Sequence, residues 1–143
     1  REQSLVRIIE GWFISFADTP PGPLQGYGLI KKGYRHIVLT RYDPVSESFV
    51  VFETMHGGSK VGVLTLYQWD FVIRHSTETF IITTDINPAK MLLPRLLTCV
   101  GAAKHHIGVR WPLVFTPWQL RSALLKHDMA SKFDIDAEIE ELE

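Results

Sequence analysis

The chain has 143 residues, 45% hydrophobic and 22% charged, with a formal net charge of −1. That profile suits one compact domain with its own core and gives no strong affinity for polyanions. A single cysteine, Cys99, excludes an internal disulfide framework and a cysteine-rich zinc site, and no apolar run approaches the roughly 18 residues that span a bilayer.

In chain order, Leu5, Ile8, Ile9, Trp12, Phe13 and Phe16 recur at helical spacing, which predicts an amphipathic helix over 3–16, although WFISF also reads as a strand. The stretch DTPPGPLQGYG (18–28) holds three prolines and three glycines and is a loop. RHIVLTRY (35–42) and SFVVFET (48–54) are rich in β-branched and aromatic residues and are joined by DPVSE, which predicts an antiparallel hairpin. VLTLYQWDFVI (63–73) fits strand or helix, and ETFIITTDI (78–86) a further strand, so the sheet is expected over about 34–86.

The second half reads as helical. Thr98 is a candidate N-cap for a helix over 98–107, with Gly108 ending it. Thr116, Pro117 and Gln119 form a capping-box signature opening a helix over 116–127. Six of the sixteen acidic residues fall in the last ten positions, so 134–143 is expected to be a solvated acidic tail behind a domain of residues 1–133. The fold class is α+β, an antiparallel sheet with a packed cysteine-bearing helix and flanking N- and C-terminal helices.

Cys99 opens its helix, where free N–H groups and the dipole favour a thiolate, and its own N–H is placed to donate to a developing oxyanion. Gly101, Ala102 and Ala103 let that helix lie close to a sheet. An inert buried thiol gives the same sequence pattern. A nucleophilic thiol needs a histidine base and a polar group to orient it. His105 and His106 sit too far along the same helix and read as charged C-terminal residues; His75 and His127 read as surface positions. His36 opens an apolar strand. With the turn centred near Val45 it faces about residue 54, beside Glu53. A set of His36, Glu53 and His56 matches no zinc spacing, and the four tryptophans read as core anchors.

A strand beginning HIVL, an acidic residue closing the next strand and a later TCV on a helix resemble the circularly permuted papain-like group, with its NlpC-type cell-wall peptidases and YiiX-like and lecithin:retinol acyltransferase-like proteins. In that group the histidine strand precedes the cysteine helix, as His36 precedes Cys99 here. The run TCVGAAKHHIGVRWPLVFTPWQL also resembles small phage and bacterial proteins. The resemblance spans about residues 34–126. It implies a thiol hydrolase acting on an amide or ester, a peptidoglycan peptide among the candidates, with Cys99 as nucleophile, His36 as base and Glu53, Thr54 or His56 as the orienting group.

No metal or organic cofactor is implied by that chemistry. The alternative is a structural or assembly subunit, for example of a phage virion, that keeps the fold and docks partners through its N-terminal helix and acidic tail. No nucleic-acid partner is expected, and a cytoplasmic or virion-associated setting is.

Overall fold

A computed structural model describes residues 10–18, 31–55, 58–83 and 99–142. Six strands form one antiparallel sheet: β1 (Trp12–Ala17), β2 (His36–Asp43), β3 (Ser48–Met55), β4 (Gly58–Leu64), β5 (Glu78–Ile82) and β6 (Ala130–Phe133), in spatial order β4-β3-β2-β1-β5-β6. Four helices occur among the described residues: α1 (Leu66–His75), α2 (Cys99–Ile107), α3 (Pro117–Lys126) and α4 (Ile135–Leu142). The expected α+β class and the cysteine helix packed on an antiparallel sheet are both present.

The helices divide between the two faces of the sheet. On one face Ile14, Phe16, Ile37, Leu39 and Phe80 pack against Val100, Ala103 and Ile107 of α2 and Leu120 and Leu124 of α3. On the other, Phe13, Phe49, Ile81 and Phe133 pack against Trp69 and Ile73 of α1, with Ile135 of α4 alongside. The Trp69 ring stacks on Phe49 at 4.0 Å, and its Nε1–H donates to Thr40 Oγ1 at 3.0 Å, so the one polar atom of this large core residue is satisfied.

The predicted N-terminal helix is corrected over its second half. Residues 12–17 are β1, a central strand flanked by β2 and β5. Phe13, Ile14, Ser15 and Phe16 are all fully buried, because both faces of a central strand are covered. A continuous apolar run of that kind carries no period-2 signal, and its spacing passes for a helix. The first half of that expected helix, residues 3–9, lies outside the described residues.

The ambiguous stretch 63–73 is both things in turn. β4 ends at Leu64, and Thr65 caps α1, its side chain accepting from the Gln68 N–H while Gln68 returns a bond to the Thr65 N–H. α3 starts with the predicted Thr116 and Gln119 box and Pro117 in its first turn. Gly108 ends α2 at φ +89°, accessible to glycine at little cost.

The C-terminal stretch is corrected as well. Asp134 Oδ1 accepts from the N–H of Asp136 at 3.0 Å and opens α4. Ile135 packs on the core of the α1 face, and Arg74 of α1 bonds Asp136 at 2.8 Å. The acidic segment is therefore helical and anchored at its start by Ile135 and Asp136, with Asp134, Asp136 and Glu140 still exposed to solvent. β6, a four-residue edge strand with serine and lysine inside it, was not anticipated.

Candidate active site

His36 is the first residue of β2 and is buried, 7% exposed. Its Nε2 lies 2.8 Å from Glu53 Oε2. An ionised carboxylate only accepts, so Nε2–H is the donor, and in the neutral ring Nδ1 is left as the free base nitrogen. The bond follows from the register. Asp43 pairs with Ser48 and Val38 with Glu53, which sets Glu53 diagonally across from His36 on the same face of the sheet. On its other side Glu53 stands opposite Lys60 of β4.

This register is one residue away from the sequence expectation, which set residue 36 against 54. The turn is the cause. Glu47 takes a left-handed φ of +53°, and Asp43 Oδ1 accepts the Val45 N–H at 3.1 Å, closing a loop over 44–47. A slip of one residue exchanges the faces of every side chain, so the observed register is the one that joins His36 to Glu53.

Cys99 is the first residue of α2 and is partly buried against the α2 face of the core. Burial pushes its thiol above the ordinary value, while the N–H groups of Ile37, Val100 and Cys99 itself pull the other way. The sulfur thus rests as a neutral thiol against the Ile37 peptide, the residue next to His36. The N–H groups at the helix start face the sulfur, as expected, but they do not outweigh its desolvation.

The sheet sets how these groups meet. Ile37 belongs to the cluster beneath α2, and side chains alternate along β2, so His36 and Glu53 project to the α1 face. Among the described residues no hydrogen bond joins Cys99 to His36; the sulfur and the ring approach β2 from opposite sides. The β2–β3 pairing ends at Val38–Glu53, while β3 continues against β4 as far as Met55–Gly58. The Ile37 N–H that faces the sulfur lies just past the last β2–β3 pair, where these strands have parted.

Thr54 lies on β3 and pairs with Ser59 of β4, and His56 is outside the described residues, as is the expected cap Thr98. His106 is corrected. Its ring packs edge-on to Trp12 at 4.2 Å and stacks on Phe52 at 5.5 Å, and burial, helped by His105, holds it below the ordinary imidazole range. It is a neutral packing residue, not a charged helix end.

A second polar cluster was not foreseen. Arg121 of α3 grips Glu78 of β5 through two bonds, at 3.0 and 3.1 Å, and Tyr34 Oη donates to the same carboxylate at 2.7 Å. Arg121 also lies over the Trp118 ring at 4.6 Å, and Lys31 Nζ over the same ring at 3.3 Å. A strand acid and a helix base 43 positions apart leave no local signal in a sequence.

Among the described residues no three His, Cys, Asp or Glu side chains gather as a metal site, and no helix is long and apolar enough to cross a membrane. No family model, curated protein or solved structure matches this chain.

Proposed function

We propose that the chain is a thiol hydrolase of amide or ester bonds, with Cys99 as nucleophile, His36 as base and acid, and Glu53 as the group that orients the imidazole. The observation that carries this reading is the buried His36–Glu53 pair, one residue along β2 from the peptide on which the Cys99 sulfur rests. The Nε2–Glu53 bond leaves Nδ1 as the basic nitrogen, the arrangement a thiol base needs.

The resting thiol is neutral, so attack is coupled to proton transfer. Cys99 Sγ adds to the substrate carbonyl as its proton passes to His36 Nδ1, a transfer that requires the sulfur or the ring to leave its resting side of β2. The imidazolium, stabilised by Glu53, protonates the leaving amine or alcohol, and an acyl-cysteine thioester remains. Water then gives a proton to His36, adds to the thioester and releases the acid, restoring the thiol. The resemblance to permuted papain-like enzymes favours a peptide substrate such as a peptidoglycan stem.

A second reading is a structural or assembly subunit with an inert cysteine. It draws on the raised thiol pKa and on the sheet face that separates sulfur from ring. Acylation by p-nitrophenyl acetate separates the two. A hydrolase gives a nitrophenolate burst that is lost in Cys99→Ser and reduced about 100-fold or more in His36→Ala. Equal, slow release from wild type and His36→Ala would leave the assembly role standing.

A further inference from the structure

The two edges of the sheet are unlike. β6 is four residues long and carries a lysine, a short edge of the kind that resists pairing. β4 is seven residues long, and among the described residues no strand pairs with its outer side. Val61 and Val63 on β4 are 68% and 67% exposed. Just beyond, Leu66, Tyr67 and Phe71 of α1 are 61%, 85% and 59% exposed. Among the described residues, five of the ten large exposed hydrophobic side chains fall within 61–71: Val61 and Val63 on the sheet face shared with Phe52, and Leu66, Tyr67 and Phe71 on the helix that covers the opposite face, so the edge is flanked by apolar side chains on both sides.

We infer that this edge is the contact of a homodimer in which β4 pairs antiparallel with β4 of a second copy. The strand is complementary to itself. With Gly62 opposite its own counterpart, Val61 of each copy faces Val63 of the other, giving two β-branched cross-strand pairs on one face. Lys60 falls opposite Leu64, so the two lysines stand about 13 Å apart along the strands and do not oppose each other. A two-fold axis normal to the sheet keeps like faces together, bringing α1 toward its counterpart on the face that carries Tyr67 and Phe71. The exposed parts of the five side chains amount to on the order of 700 Å² per copy. Complete cover of both sets gives an upper bound of roughly 1,400 Å²; pairing leaves the outward faces of the valines open, so the contact falls toward the small end of specific interfaces.

Sedimentation equilibrium of the full chain from about 1 to 100 μM tests this. The expected result is a mass moving from 16.4 kDa toward twice that value as concentration rises. Val61→Lys and Val63→Lys, both at exposed positions, should each weaken association at least tenfold with the circular-dichroism spectrum unchanged. Leu113→Lys, an exposed apolar site on a different segment, should leave association unaltered. Hydrogen exchange on the wild type gives a readout that needs no variant: amides within 60–64 should gain protection as concentration rises. A chain that stays monomeric throughout, or a dimer that Leu113→Lys disrupts and the β4 variants do not, overturns the assignment.

Discussion

His36 and Glu53 are joined by a 2.8 Å bond between adjacent strands, with side chains 9% and 19% exposed. Neither group is easily left alone at that burial. Removing one partner strands either an N–H or a carboxylate, at a cost of about 1–3 kcal/mol. Glu53→Leu and His36→Phe should each lower the stability measured by urea unfolding by that amount. The double variant should cost less than the two singles together, by about 1 kcal/mol or more. Strictly additive losses would mean that the pair contributes nothing beyond its separate packing.

The Glu78–Arg121 pair sets a pH dependence. Burial raises the Glu78 carboxyl, but the bonds from Arg121 and Tyr34 outweigh it, and the net shift is downward. A carboxyl whose folded pKa lies below its unfolded value adds stability above the unfolded pKa, near 4 to 4.5, and that stability fades as pH falls through the folded value. Arg121→Ala should cost about 1–3 kcal/mol at pH 7, since it leaves a mostly buried acid short of its cation. At pH 3 the gap between variant and wild type should narrow. Urea midpoints at the two pH values decide it, and a gap that is constant with pH would assign the loss to the guanidinium lying over the Trp118 and Phe80 rings.

What the sequence made legible follows the reach of each signal. Local chemistry was readable: the Thr116–Gln119 box, the Gly108 stop, the β2–β3 hairpin and the choice of Glu53 as the neighbour of His36. Two-sided burial was not, so β1 passed for a helix; its six residues show their nature only when β2 and β5 are in place. The hairpin register was missed by one residue because Glu47 adopts a left-handed conformation with no glycine to announce it. That single residue decides which side chains share a face. Which face α2 would cover depends on packing between Val100, Ala103 and the far ends of the chain, and no spacing around Cys99 encodes it.

The helix caps give a local test. Thr116 accepts the Gln119 N–H at 3.2 Å, and Gln119 Oε1 accepts the N–H groups of Thr116 and Phe115 at 3.1 and 2.8 Å. Thr116→Ala removes one acceptor from the helix start and should cost about 1 kcal/mol. Gly108→Ala places a Cβ at φ +89°, and should cost about 1–2 kcal/mol. Thermal unfolding reads both, with Thr65→Ala at the α1 cap as a matched comparison. No loss in either cap variant would mean that tertiary packing alone holds the helix starts.

His106 gives the chain a second acid sensitivity, separate from Glu78. Its ring is wedged between Trp12 and Phe52, and its Nε2 is buried with no hydrogen-bond partner among the described residues. His105 stands beside it on α2, and the Arg41 guanidinium of β2 lies over the Trp12 ring at 5.8 Å. Burial first, and His105 second, lower its pKa, so the folded state prefers the neutral ring. The sign follows from proton counts. Between the unfolded value near 6.5 and the lower folded value, the unfolded chain binds the extra proton and gains on the folded one as pH drops. Stability from this residue is therefore complete above about pH 6.5 and declines on acidification, well before the carboxylates titrate. His106→Phe keeps an aromatic ring in the same slot and removes the titration. Its melting temperature should match or exceed the wild type at pH 7.5 and fall less on moving to pH 5. Parallel declines in the two proteins would assign the acid sensitivity to other groups.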